Sequence, residues 1–172
     1  MTQKAVNNAK VLYRLNISRS DVEEAHKIFT KAPFLLETLT NPVVSEEAKE
    51  AVLDKIVRQC ELPDLLGNFM KMMCRIGEIG QITDIFNCYY EYWDKMNHIL
   101  HAKVIYADDK AKEEKEAILK QLESIYPKEE IVLSEKTDAS LLGGYVVHVG
   151  YEEYDHSYEG KLRRLERKLT GR

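Results

Sequence analysis

The chain has 172 residues, of which 44% are hydrophobic and 31% charged, and this is the composition of a folded globular protein rather than a disordered or fibrous one. A formal net charge of −4 argues against an extended nucleic-acid-binding surface, which needs a surplus of basic residues. The cysteines form no CxxC pair and indicate neither a disulfide framework nor a zinc site. No apolar run approaches the roughly 18 residues of a membrane span, so we expect membrane association only through a partner.

Residues 1–100 carry apolar side chains at helical spacing and predict a bundle of six α-helices. The residues from Ser20 to Glu23 match a capping box, which predicts that the second helix begins near Asp21. Ser45, followed by two glutamates, is the predicted N-cap of the fourth helix.

The fifth helix, with Pro63 expected in its first turn, is apolar around much of its circumference. Its apolar residues are Leu65, Leu66, Phe69, Met70, Met72, Met73 and Ile76. A helix of this kind is either central in a bundle or covered by a partner. The sixth helix follows Gly80, and its consecutive aromatic residues spread around the helix, which favours packing over a base-stacking platform.

Beyond residue 100 the apolar period changes from helical spacing to alternation, which predicts a half-buried strand. The alternating residues are Leu100, Ala102, Val104 and Tyr106. Asp108 and Asp109 are candidate caps for a charged helix that ends at Pro127. Two further short strands are predicted, at 131–133 and 144–149.

The chain closes with an amphipathic helix whose predicted cap is Asp155 or Ser157. The predicted fold class is therefore α+β, with a six-helix bundle over residues 1–100 followed by a small α/β domain over residues 101–172.

Motifs that carry chemistry are weak in this sequence. The glycine pair Gly143-Gly144 belongs to neither a GxxxxGK[ST] nor a GxGxxG motif, which favours a structural turn over a phosphate-binding loop. His98 and His101 form an HxxH pair without an evident third ligand. The run from Asp155 to Ser157 is too short to form a hydrolase triad. We therefore predict no catalytic residue, no cofactor and no metal.

Basic residues dominate the C-terminal segment from Lys161 to Arg172, where Glu166 is the only acid. Such a helix face is most often solvated or faces an acidic partner helix, although nucleic acid and lipid headgroups are other candidates. The segment supports one alternative function, a helical regulatory module whose basic C-terminal tail binds RNA.

The stretch from Asp138 through Ser140 to Gly143 and Gly144 matches the signature D-x-S-L-[IL]-G-G, and Gly150 and a second D-x-S follow it. The second D-x-S consists of Asp155 and Ser157 and is followed by a leucine-bearing end. The chain thereby resembles the delta subunit of bacterial F-type ATP synthases, in the family of the mitochondrial oligomycin sensitivity-conferring protein.

Weaker agreement with this family extends over most of the chain. Ala9, Leu12 and Tyr13 look like the family's opening A-x-x-L-[FY], and Asn41-Pro42 looks like its interhelical N-P. The family usually has an aromatic residue at the position of Asn8.

The resemblance implies a non-catalytic stator subunit of the peripheral stalk, which links the catalytic head to the b subunits so that rotation is coupled to ATP synthesis. It implies that the bundle binds the N-terminal helix of an alpha subunit, and that the C-terminal domain binds the b subunits. For the alpha subunit the expected contact residues are Ala9, Leu12, Tyr13, Met70 and Met73. For the b subunits they include Lys161, Arg164 and Lys168.

The resemblance also implies a location at the cytoplasmic face of the bacterial cell membrane, as a peripheral protein held there only by the complex. Nucleic acid is not an expected partner.

Overall fold

A computed structural model describes residues 2–108 and 113–170 of the chain. The chain divides into two compact units, Met1–Trp93 and Asp94–Arg172. Each unit has its own hydrophobic core cluster, and we describe the units separately.

The first unit is helical. Its α-helices, the last of which extends three residues beyond the unit, are α1 (Gln3–Arg14), α2 (Arg19–Lys31), α3 (Pro33–Thr40), α4 (Glu46–Gln59), α5 (Asp64–Arg75) and α6 (Ile82–Met96). A short 3-10 helix, Ile79–Gln81, precedes α6. Each α-helix turns an apolar stripe toward the shared core, as the helical spacing of the sequence predicts.

Hydroxyl side chains start three of these helices by accepting a backbone hydrogen bond from the first turn. Thr2 caps α1, and Ser45 caps α4 as predicted, accepting from the amide of Ala48 at 3.3 Å. The predicted capping box of α2 is wrong by two residues. Ser18, rather than Ser20, caps the helix and accepts from the amide of Asp21 at 3.2 Å.

The second unit combines a four-stranded sheet with two α-helices among the described residues. Its elements are β1 (Ile99–Tyr106), α7 (Lys115–Ile125), β2 (Glu130–Thr137), β3 (Tyr145–Val149), β4 (Glu152–Asp155) and α8 (Tyr158–Thr170). The strand order is β2-β1-β3-β4. β1 pairs in parallel with β2 and antiparallel with β3, and β3 pairs antiparallel with β4.

The alternating apolar residues of β1 form a half-buried strand, as predicted. Ala102, Val104 and Tyr106 are buried and meet Ile118 and Leu122 of α7 in the core of this unit. At the C-terminal end of α7, the hydroxyl of Tyr126 donates to the carboxylate of Glu152 in β4 at 2.6 Å.

Two features of the second unit differ from the sequence prediction. β4 was not predicted, because it is four residues long and its side chains are polar or partly buried. The predicted cap of α7 at Asp108 is not made, since the helix begins at Lys115 after an N-cap residue that makes no side-chain cap bond. Asp109, the other candidate cap, lies outside the described residues.

Candidate docking surfaces

The residues predicted to contact an alpha subunit lie mostly inside the first unit. Ala9 and Leu12 of α1, and Met70 and Met73 of α5, are fully buried in its core. Tyr13 is partly buried, and its ring packs edge-on against Tyr92 of α6 with the ring centroids 5.1 Å apart. In the free chain, the four buried side chains therefore pack within the core beneath the surfaces of α1 and α5, and Tyr13 retains part of its exposed surface.

An exposed apolar stripe lies on another side of α5. Leu65, Met72 and Ile76 retain 53%, 42% and 53% of their surface. With the buried Phe69 they follow the spacing i, i+4, i+7 and i+11, which places all four along one side of the helix. We call Leu65, Met72 and Ile76 the α5 stripe.

The α5 stripe and the ion pairs with α4 lie on different sides of α5. Lys71 and Arg75 of α5 form ion pairs with Asp54 and Glu50 of α4 at 2.5 and 2.7 Å. At 100° per residue, the stripe lies roughly 100° around the helix from these two basic residues. The interhelical contact with α4 therefore leaves the stripe uncovered by that helix.

The N-terminal half of α1 is tied to the segment that follows α5. The Nζ of Lys4 lies 2.8 Å from one carboxylate oxygen of Glu78, and the amide of Asn8 donates to the other oxygen at 2.8 Å. Thr2 adds a hydrogen bond to Gln81 at 2.5 Å. The hydrogen bond from Lys4, with a smaller one from Asn8, lowers the pKa of the Glu78 carboxyl below its ordinary value. We call Lys4, Asn8 and Glu78 the α1 clasp.

α1 also carries an exposed apolar residue. Val11 lies on the side of α1 that carries Lys4 and Asn8, and it is 41% exposed. Exposed apolar side chains of this kind, on α5 and on α1, suit contact with an amphipathic helix.

The two D-x-S sequences of the signature form the same local structure. Asp138 accepts hydrogen bonds from the amide and the hydroxyl of Ser140 at 3.0 and 2.7 Å. Asp155 accepts in the same way from Ser157, at 2.9 and 2.6 Å. These side-chain turns lower the pKa of both aspartates, mainly through the serine hydroxyl, and hold the backbone at the ends of β2 and β4.

Ser157 is also the cap of α8, because its buried hydroxyl accepts from the amide of Gly160 at 3.0 Å. Asp155, the other candidate cap, instead braces Ser157. A Cβ at Gly160 would overlap the Asp155 carboxylate, so glycine is required where the two meet. In the sequence, Gly160 lies between the second D-x-S and the leucines of α8.

The glycine pair of the signature closes the turn around the start of α8. Gly143 and Gly144 have φ angles of 143° and 81°, which favour glycine. A Cβ at Gly143 would lie 2.5 Å from the ring of Tyr158, and the carbonyl of Gly143 accepts from the amide of Tyr158 at 3.0 Å. The signature is thus a backbone arrangement that seats α8, with Gly150 at the first position of the two-residue β3-β4 loop and a φ of 58°.

α8 presents an uncovered amphipathic surface. Leu162, Leu165 and Leu169 retain 62%, 56% and 86% of their surface, and Gly160 is the one buried residue of this helix. Lys161, Arg164 and Lys168 are exposed and share the neighbouring side of the helix, since their spacing is i, i+3 and i+7. The helix therefore offers an apolar stripe flanked by positive charge.

The two histidines of the HxxH pair have separate acidic partners. His101 lies 3.0 Å from Asp94, whereas His98 lies 3.5 Å from Glu129. Among the described residues, no three histidine, cysteine or acidic side chains come together as metal ligands. No helix in the described part of the chain has the length and apolarity that crossing a bilayer requires.

Comparison with known proteins assigns the family. The model of the family described as ATP synthase delta (OSCP) subunit matches residues 5–169. This chain belongs to that family. The ATP synthase subunit delta of Prochlorococcus marinus strain MIT 9301 is 30% identical over 146 residues, covering 85% of this chain and 81% of the relative. The ATP synthase subunit delta of Trichodesmium erythraeum is 26% identical and covers 84% of this chain and 79% of the relative.

The fold agrees with the ATP synthase delta (OSCP) family as well. A chain of the cryo-EM structure of the Toxoplasma gondii mitochondrial ATP synthase hexamer matches 99% of this chain and 98% of its own length. Its TM-score is 0.63 at 15% sequence identity, which shows a shared α+β fold.

As a delta (OSCP) subunit, the protein is a non-catalytic stator component of the peripheral stalk, and its partners are other subunits of a membrane-associated ATP synthase. The comparisons give no support to the RNA-binding alternative.

Proposed function

We propose that this subunit links the catalytic head of an F-type ATP synthase to the b subunits of the peripheral stalk, so that rotation is coupled to ATP synthesis. The observation that carries the proposal is the presence of an uncovered amphipathic surface in each unit, the α5 stripe in the first and α8 in the second. A linking subunit needs two docking surfaces, and it needs no perturbed acid or nucleophile.

In this proposal, the six helices of the first unit bind the N-terminal helix of an alpha subunit. The partner helix lies on the α5 stripe and on Val11 of α1, where its apolar face covers side chains that are exposed in the free chain. Ala9, Leu12, Met70 and Met73 keep the role of packed support beneath this surface. Tyr13 fixes the C-terminal end of α1 against α6.

Calorimetry with a synthetic peptide of the alpha-subunit N-terminus tests this surface. We expect the double variant Leu65→Ser, Ile76→Ser to lose peptide binding, because it removes apolar area from both ends of the α5 stripe. The control is Val43→Ser, which changes an apolar residue that is more exposed than Leu65 and Ile76 and lies outside the surface. Unchanged affinity in the double variant, or an equal loss in the control, would reject the assignment.

The second unit is proposed to bind the b subunits through α8. Its exposed leucines fit the apolar face of a partner helix, and Lys161, Arg164 and Lys168 fit acidic residues beside that face. Because exposed charges are screened by salt, this contact should weaken as the ionic strength rises.

A pull-down with the C-terminal segment of the b subunit tests α8. The charge reversal Lys161→Glu, Arg164→Glu, Lys168→Glu is expected to abolish capture at low salt, and Leu165→Ser to weaken capture at all salt concentrations. The control is Lys120→Glu, an exposed lysine on α7. If the charge-reversed variant still bound at low salt, the basic side of α8 would not be the contact.

We also propose that the subunit lies at the cytoplasmic face of the bacterial cell membrane, held there by the complex. In cells that lack both the b subunits and the catalytic head, fractionation should find the subunit outside the membrane fraction. Retention without both the b subunits and the catalytic head would contradict attachment through the complex alone.

A further inference from the structure

We infer that Glu78 is a positioning residue which, by holding Lys4 and Asn8 of α1, sets the spacing between α1 and α5 that a partner helix requires. This inference rests on the proposed alpha-subunit surface, which the α5 stripe and Val11 form. Glu78 itself does not touch the partner in this scheme. It acts by fixing one wall of the surface.

α1 has few apolar anchors of its own. Its buried residues are Ala5, Ala9 and Leu12, and two of these are alanines, whose side chains remove little apolar area from water. Val6 and Tyr13 add partly buried contacts with the core. A helix with little buried apolar area opens more readily than one with more, so polar contacts help to hold the N-terminal half of α1.

The acceptor of these contacts is well placed. Gly77, with a φ of 73°, ends α5, and the amide of Glu78 then donates to the carbonyl of Met73 at 2.8 Å. The Glu78 side chain is 16% exposed, and each of its two oxygens meets one donor of α1 at 2.8 Å. The backbone of Glu78 is thus fixed to α5, and its carboxylate bonds to α1.

The two ends of α1 are held in different ways. The rings of Tyr13 and Tyr92 fix the C-terminal end to α6, and the clasp fixes the N-terminal half to the end of α5. Loss of the clasp would free the N-terminal half while leaving the C-terminal end in place. A surface that is ordered for part of the time binds with an affinity reduced by that fraction.

The carboxyl of Glu78 has a lowered pKa, so it stays ionised throughout the neutral range and the clasp does not respond to pH there.

The test compares Glu78→Gln with Glu50→Gln in the full chain. Both carboxylates accept a hydrogen bond from a basic side chain across two elements of the first unit, but Glu50 pairs with Arg75 on the α4 side of α5. We expect Glu78→Gln to weaken binding of the synthetic alpha-subunit peptide by about three- to tenfold. Glu50→Gln should bind like the parent chain.

Hydrogen exchange of the free chain supplies a second readout that needs no partner. Glu78→Gln and Asn8→Ala should each speed exchange at the amides of α1 and leave α4 and α5 unchanged. In a double-mutant cycle, Glu78→Ala and Asn8→Ala should not add fully, because each of them removes the hydrogen bond between Asn8 and Glu78.

These measurements separate the two proposals. If the parent chain failed to bind the peptide, the proposed function of this surface would be at fault, and the exchange data would still report on the clasp. If the parent chain bound and Glu78→Gln bound equally well, with unchanged exchange in α1, the positioning role of Glu78 would be wrong.

Discussion

Asp155 shows how a single side chain can organise several elements. Its carboxylate binds the amide and hydroxyl of Ser157, and Ser157 in turn caps α8. The carboxylate also occupies the space where a side chain at Gly160 would lie. The start of α8 is therefore specified by three residues within the segment 155–160, and a change at any of them should alter the stability of the second unit.

Gly160→Ala tests this arrangement. The added methyl group would displace the Asp155 carboxylate, so we expect the second unit to lose roughly 1–3 kcal/mol of stability, although alanine favours helices. Urea unfolding followed by circular dichroism measures the loss. Glu166→Ala, on the exposed outer part of α8, is the control and should change stability by no more than about 0.5 kcal/mol.

His26 supplies a pH dependence for the first unit. It lies between the rings of Phe86 and Tyr90 at centroid distances of 5.7 Å, and its partial burial lowers the pKa of the imidazole below the ordinary 6.5. Because the unfolded chain then binds a proton more readily than the folded one, this residue should cost stability as the pH falls below 6.5.

The urea concentration at the unfolding midpoint of the first unit should accordingly decrease when the pH is lowered from 7.5 to 5.5. These two values lie about one unit either side of the ordinary histidine pKa. His26→Gln should remove this part of the fall. An identical pH dependence in the variant and the parent chain would show that other groups cause it.

At the scale of elements, α5 carries apolar residues on two sides, one buried and one exposed. One side carries Met70 and Met73 into the core, and another carries the exposed α5 stripe. The helical pattern alone indicated that the helix was central or covered by a partner, and the structure shows that one side is buried in the core and another is exposed. The division also explains why residues chosen for the partner contact from sequence proved to be core residues.

Adjacent methionines on α5 should therefore differ sharply. Met73→Ala leaves a cavity in the core and is expected to destabilise the first unit by about 2–5 kcal/mol. Met72→Ala alters an exposed side chain and should change stability by no more than about 0.5 kcal/mol. Thermal unfolding of both variants measures the difference, and equal losses would contradict the burial of α5 described above.

At the scale of the whole molecule, the two units have separate core clusters with no residue in common. In the proposed function the subunit links two partners, and separate cores would allow each proposed docking surface to be supported by its own packing. Destabilising changes should therefore act on the unit in which they lie.

Calorimetry of the full chain is expected to show two transitions. Met73→Ala should lower the transition of the first unit and Gly160→Ala that of the second, because each substitution disrupts packing within its own unit. A single transition shifted equally by both variants would instead show that the units unfold together.

Local pattern in the sequence determined the family, the α+β class, the cap at Ser45, the alternation of β1 and the amphipathic character of α8. Such features depend on residues a few positions apart, whose spacing fixes which side of an element they share. The turn role of the glycine pair could be predicted for the same reason.

Only the tertiary structure decided which apolar side of α5 is buried, that β4 completes the sheet, and that Glu78 reaches α1. Burial and ion pairing of this kind depend on partners far away in the sequence, such as Asn8 and Glu78, and periodicity carries no information about them. The sequence could indicate that α5 was apolar on several sides, but the packing of the other helices determined which side was left for a partner.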